Sequence, residues 1–259
     1  MNQHRRRPIL LLALLALLLT GAGPADNADS DKVPALEGRW AKKVVMTSVS
    51  DPPIVGEVTA RTITYLKVDL RQEGRTLRLA NQTCDIDIDS DSRAIRTVIP
   101  TAFVEAMPDG RRRGVVVASE EGPQMHINRQ RSVLGARLRQ PVFERLPTSS
   151  DDPRLVDTDG DGHPGVTVRI EGLVDGELYL VQRAWDAYTG QLQSPTSITG
   201  TVSWETEQSV VGSTSMFLRS QPPTRPHADD RRNRFEMVRI PERASCRWIL
   251  DNRRQLFGQ

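Results

Sequence analysis

The chain has 259 residues, with 35 Lys and Arg against 33 Asp and Glu and a formal net charge of +2. Three of those bases, Arg5, Arg6 and Arg7, sit in a leader-like segment; without them 32 bases face 33 acids, so the basic footprint expected of a nucleic-acid-binding protein is missing. Aromatic residues are 5% of the chain while Gly (18) and Pro (17) are frequent, a composition that suits short strands joined by turns.

His4-Arg5-Arg6-Arg7 is followed by an unbroken apolar run from Ile9 to Leu19. That run is shorter than the roughly 20 residues of a membrane-spanning helix and has the length of a signal-peptide core. Gly23 and Ala25 supply small residues at the −3 and −1 positions of a cleavage site. Residues 1–25 are therefore expected to be a signal peptide cut after Ala25, leaving a secreted or periplasmic (cell-envelope) protein with no stable transmembrane segment. An uncleaved anchor is the alternative, and Arg6-Arg7 leaves the Sec and twin-arginine routes both open. Residues 26–35 are mostly polar and acidic and read as a disordered linker.

From Leu36 the hydrophobic period is mostly two. Residues 39–49 carry Trp40, Val44, Val45 and Val49 between polar residues, and residues 57–70 alternate throughout. Glu73-Gly74 reads as a hairpin turn into Thr76–Ile88. Residues 101–107, bracketed by Pro100 and Pro108, read as one short helix. Strands are expected over 115–118, 124–128 and 132–139. Residues 147–164 are a long polar loop, after which strands resume at 166–170, with Asp175-Gly176 turning into 178–185. Further strands are expected over 198–205, 215–219, 235–240 and 246–250, with an exposed loop at 220–234. The expected fold is all-β: an antiparallel barrel or sandwich of about ten strands, with one short helix and long polar loops, since closure or stacking manages so many strand edges. Residues 36–257 form one β-rich domain, or two split near 150–164.

Cys84 and Cys246 are the only cysteines. Export makes a disulfide between them the expected state, with two unpaired buried thiols as the alternative. The bond would join the two halves of the chain and favour one domain.

The sharpest motif is Asp157-Thr158-Asp159-Gly160-Asp161-Gly162-His163-Pro164-Gly165. Three carboxylates at spacing two on a glycine-rich turn suit calcium, a hard cation that takes 6–8 oxygens. The stretch resembles the Asp-rich calcium loops of dockerins, thrombospondin type 3 repeats and, most closely, integrin-type FG-GAP repeats, which also run directly into a strand. The resemblance implies metal ligands at Asp157, Asp159 and Asp161 and at the backbone carbonyl of His163. It departs from those loops at Gly165, where FG-GAP loops are acidic, and at Val168, where an EF-hand has Glu. It covers residues 157–168 alone, and an Asp/Gly surface turn without metal is the other reading. Asp151, Asp152 and Glu171 are candidates for a missing ligand. Asp85, Asp87, Asp89 and Asp91 read as one solvated strand face, and Arg111-Arg112-Arg113 and Arg231-Arg232 as exposed loop charges.

Gly38-Arg39-Trp40 resembles the Gly-x-Trp that opens lipocalin-type barrels. There the Trp plugs one end under a basic residue from a late strand, a part that falls to Arg247. The lipocalin Thr-Asp-Tyr motif is absent. No HExxH, Gly-x-Ser-x-Gly, P-loop or dinucleotide fingerprint occurs, so no catalytic or cofactor-binding residue is assigned. The expectation is a non-enzymatic, calcium-stabilised barrel that binds a small apolar ligand or an envelope component. The alternatives are a structural or interaction protein of the envelope and, third, a hydrolase in which His126 or His227 converges with a carboxylate. Oligomeric state is left open.

Overall fold

The computed structural model describes residues 33–52, 56–219 and 222–258. The signal peptide, its cleavage after Ala25 and most of the linker lie outside them. Val33–Gln259 forms one compact unit.

Among the described residues eleven strands make a single sheet: β1 (Gly38–Ser50), β2 (Val58–Glu73), β3 (Thr76–Ser90), β4 (Ile95–Val98), β5 (Gly110–Val117), β6 (Gln124–Leu134), β7 (Val166–Gly172), β8 (Gly176–Ser194), β9 (Ser197–Ser213), β10 (Arg225–Pro226) and β11 (Arg234–Arg239). Eight of them close a ring in the order β1-β2-β3-β5-β6-β8-β9-β11, every ladder antiparallel, with β11 returning to β1. The ring is therefore an up-and-down barrel. Strand β8 is long enough to serve two structures: Gln182 to Gln191 pairs with β6, and Gly176 to Leu180 pairs with β7. Strands β7 and β4 thus form a flap off the ring.

Alternation sorts the side chains. On β1, Trp40 and Val44 belong to the barrel core with Val68, Leu70, Leu77, Leu79, Met125, Ile198, Phe235 and Met237. The intervening Ala41 belongs to an outer cluster with Tyr65, Ile249 and Phe257. That outer face is covered by two C-terminal helices, α2 (Cys246–Asp251) and α3 (Arg253–Phe257). The short helix α1 (Thr101–Ala106) stands where the sequence places it and buries Phe103 among the flap residues Val166, Val168, Ile170 and Leu178.

The Trp40 end of the barrel is sealed. Trp40 is fully buried and donates its ring N–H to the Leu36 carbonyl at 2.9 Å. The guanidinium of Arg239, on β11, lies 4.7 Å from the Trp40 ring and also holds the carbonyls of Ala35 and Glu37. The sequence reading gave this part to Arg247 on a last strand. Residues 246–251 instead form a helix, because Ser245 caps it by accepting the Trp248 N–H. Arg247 is 89% exposed and faces Asp251 one turn on. Other differences are local. The segment at 215–219 is a 3₁₀ turn, Met216–Leu218. The two strands expected over 124–139 are one bulged strand, β6. The 220–234 loop carries β10 and a further 3₁₀ turn, Asp230–Arg232.

Cys84 and Cys246 are joined, with Cα atoms 5.0 Å apart and a sequence separation of 162. Cys84 sits at the register shift of β3 against β2, so the bond ties α2 to the barrel wall. Trp40→Ala is expected to cost about 3–5 kcal/mol, as for other large buried aromatics, and loss of both cysteines about 2–5 kcal/mol. Arg247→Ala is expected to be near neutral. Urea denaturation of the three variants measures the order.

Candidate metal centre and barrel interior

The Asp-rich loop is fastened to β8 before it reaches its carboxylates. Gly135 and Gly165 have φ of +79° and +100°, and a Cβ on either would come within 2.6 and 2.4 Å of the Leu180 carbonyl oxygen, so glycine alone fits both places. Gly165 donates to the Val156 carbonyl, and Thr158 N–H donates back to Gly165. The His163 ring stacks on Tyr179 of β8, centroids 4.1 Å apart and planes 11° from parallel. Further up the loop, Arg154 bridges Asp152 at 2.6 Å and Glu144 at 2.9 Å.

Within this frame Asp157, Asp159 and Asp161 come together, each offering a carboxylate oxygen within 4.8 Å of the others. Asp157 accepts the amides of Gly160, Asp161 and Gly162, and Gly160 and Gly162 take the positive φ values (+71° and +88°) that this wrap requires. Asp159 accepts the Thr167 amide through Oδ2, while its Oδ1 is buried without a partner. Burial alone would raise the Asp161 carboxyl, but hydrogen bonds from the Thr167 hydroxyl and the His163 amide outweigh it and hold it below the usual carboxylate range. Three ionised carboxylates this close repel one another unless a cation stands between them. The oxygen-only donor set and the orphaned Asp159 Oδ1 fit a hard cation. The loop can therefore hold a metal ion. Two of the supplementary acids are engaged elsewhere: Asp152 is taken by Arg154 and Glu171 lies beside Arg96.

A second polar group was not legible in the sequence. Lys42, in register with the core residues of β1, is fully buried, and its Nζ has no hydrogen-bond partner. The amine rests 3.1 Å from the centroid of the Tyr188 ring and 5.2 Å from that of Phe235. Beside it Arg112 pairs with Asp186 at 2.6 Å, and burial pushes the Tyr188 hydroxyl well above the ordinary tyrosine range. Burial first, and then the positive field of Arg112, push the Lys42 amine well below the ordinary lysine range against the opposing pull of Asp186. The aromatic faces compensate part of the lost hydration, about 2 kcal/mol at a desolvated site, against several kcal/mol for burying the charge. Arg112 corrects the reading of residues 111–113 as loop charges. The three arginines lie on β5, where Arg111 and Arg113 point outward and Arg112 is opposite Leu79 on the core side.

Asp85, Asp87 and Asp89 lie on β3 as expected, with Arg61 on Asp89 and Arg253 near Asp85. His126 meets the Thr189 hydroxyl at 3.3 Å, and His227 accepts the Asp229 amide. No family model, curated protein or solved structure matches the chain.

The Arg154 clamp has a pH signature. Its hydrogen bonds bring the Asp152 carboxyl from 3.8 down to about 2. A depressed carboxyl stabilises the fold above its unfolded pKa and loses that contribution as pH falls through the folded value. Amide exchange over residues 150–156 is therefore expected to stay slow at pH 4 and to accelerate as pH approaches 2. Arg154→Ala should remove this dependence, as read by hydrogen exchange.

Proposed function

We propose that the protein is an exported, non-enzymatic binding protein: a barrel that takes a small apolar ligand in its open half and is stabilised by calcium at the Asp157–Asp161 loop. The observation that carries the reading is the gradient of burial along the inward face of the ring. At the Trp40 end the inward residues are fully packed. Toward the other rim Met46, Thr62, Thr64, Ala184, Trp204 and Thr206 are only half-buried, while Ser48 and Val58 beyond them on β1 and β2 are buried. An eight-stranded barrel is just wide enough to be filled or to hold one small ligand, and this one is filled at one end and less so at the other. The Trp40–Arg239 seal also supports the resemblance to lipocalin-type barrels.

Calcium is the cation best suited to the loop, because the ligands are all oxygens on a glycine-rich turn and because free calcium is plentiful outside the cytoplasm. Its role there is to neutralise three carboxylates and fix the loop to Tyr179 and Leu180, with Asp157, Asp159, Asp161 and the His163 carbonyl as ligands.

A filled barrel acting as a structural component of the envelope is the second reading. It is favoured by Phe235, which packs so tightly on Gly190 and Gly200 that a Cβ on either would lie 2.7–2.8 Å from its ring. Native mass spectrometry of the purified protein separates the two: a stoichiometric small molecule supports the first, and a clean apo mass supports the second. For the loop, calcium at a hundred times its dissociation constant is expected to add about 2.7 kcal/mol, or about 5–10 °C in Tm for a domain of this size. Asp159→Ala should abolish the gain, and superimposable melts in calcium and in chelator would remove calcium from the reading.

A further inference from the structure

We propose that the turn at residues 140–144 docks the protein on an anionic lipid surface, with Phe143 and Val142 entering the interface and unpaired arginines around them meeting the headgroups. This surface is separate from the barrel interior and the Asp loop, and the inference does not depend on the readings given for them.

The first ground is an apolar tip held in water. Phe143 is 83% exposed, more than any other large apolar residue among the described ones, and Val142 beside it is 45% exposed. Exposure on a loose loop would mean little, but this turn is braced from both sides. The amides of Phe143 and Glu144 donate to the Gln140 carbonyl at 3.1 and 2.9 Å. Glu144 closes the turn by accepting the Gln140 amide at 3.0 Å. Arg183 of β8 donates to the carbonyls of Pro141 and Glu144 at 3.0 and 2.8 Å, and Arg154 holds the Glu144 carboxylate. Leu146, just past the turn, is buried with Tyr179 and Val181. Val142 and Phe143 are thus kept from joining that cluster, and an apolar pair fixed outside the core is a contact surface for something else.

The second ground is the charge around the tip. Ala136 and Leu138 pack toward the inner cluster, so Arg137 and Arg139 between and beyond them face outward. Both are exposed, as is Arg145, and no carboxylate among the described residues pairs with any of the three. Two acids of the loop, Glu144 and Asp152, are engaged by Arg154 and have side chains only 24% and 19% exposed. Asp151 is left as the free acid. Arg183 is neutralised by Glu207. Arg131, exposed on β6 two places from the Val133 that pairs with Arg183, adds a fourth outward base.

An apolar tip among outward bases selects the occupant. At an anionic bilayer the two terms add: the headgroups attract arginine, and the layer beneath them accepts Phe. A tip that protrudes also suits a deformable surface, whereas a rigid protein partner must offer a pocket of matching shape. The flap turn gives the contrast. Leu173 is 69% exposed there but stands between Glu171 and Asp175, acids that an anionic surface repels.

The test is vesicle flotation of the purified chain from Asp26 onward, so that the apolar run at residues 9–19 takes no part. Binding is expected to vesicles of two parts phosphatidylcholine to one part phosphatidylglycerol and not to phosphatidylcholine alone, and it should weaken as salt shortens the range of the attraction. Arg139→Glu is expected to weaken it by at least about fivefold, the worth of one arginine near an anionic surface, and Phe143→Ser by about tenfold. Leu173→Ser should leave it unchanged. All three positions are exposed, so the variants should melt with the native protein. Phe143→Trp should show a blue shift of emission on the anionic vesicles that the native protein lacks. No binding to those vesicles, or binding that neither Arg139→Glu nor Phe143→Ser changes, overturns the inference. Equal binding to soluble polyglutamate without the blue shift also overturns it, and assigns the turn to an acidic protein partner.

Discussion

The pairing of β1 with β11 is the constraint on which the rest of the structure depends. It is a six-pair antiparallel ladder, Trp40 to Val45 against Arg239 to Arg234, between segments almost two hundred residues apart. Without it the eight strands are an open sheet with two long unpaired edges. With it the inward face of every strand is cut off from water at one end, and a polar residue placed there cannot be solvated. The same ladder brings Arg239 over Trp40 and Phe235 beside Val44 and Lys42. Closure, the end seal and the unusual electrostatics of the interior thus have one origin.

The protein keeps two kinds of charge in two kinds of place. The Asp loop is largely exposed, and its carboxylates are held in position by backbone amides, which act on them as fixed partial positive charges. That is an economical way to assemble like charges at a surface, because water screens what the amides do not. Lys42 has neither aid. Its neighbours are aromatic faces and an arginine already engaged by Asp186, so the charged form of its amine is disfavoured by surroundings that otherwise stabilise the core. The cost is retained in a barrel that could have carried Leu or Met at that position.

Much of the architecture was legible in the sequence because it depends on local chemistry. Alternation over residues 57–70 and the turns at Glu73-Gly74 and Asp175-Gly176 gave strands and hairpins where they stand. Proline brackets gave α1, and the Asp spacing gave the loop. What was not legible depends on which strand meets which. The arginine over Trp40 is fixed by the register of β11 on β1, and no spacing in the sequence distinguishes Arg239 from Arg247. The C-terminal helix was misread because Cys246 to Leu250 is too short to show a period, although Ser245 three residues before Trp248 is a capping signal. Arg112 shows the same limit. A run of three arginines looks like solvated charge until the strand that carries it is known to alternate between water and core.

Strand β8 links the two sites. Tyr179 and Leu180 carry the contacts that fasten the Asp loop, and Asp186 and Tyr188 of the same strand stand beside Lys42 in the barrel interior. At about 3.4 Å per residue, the six residues from Leu180 to Asp186 span about 20 Å. That is too far for a cation in the loop to act on Lys42 through its charge, given a screening length of about 8 Å at physiological salt. A mechanical connection has no such limit. At Leu180 the strand passes from pairing with β7 to pairing with β6, so the loop grips β8 where flap and ring meet. A cation held by the loop would therefore act on β8 at the junction of flap and ring, and would leave the electrostatics around Lys42 to β1, β5 and β8.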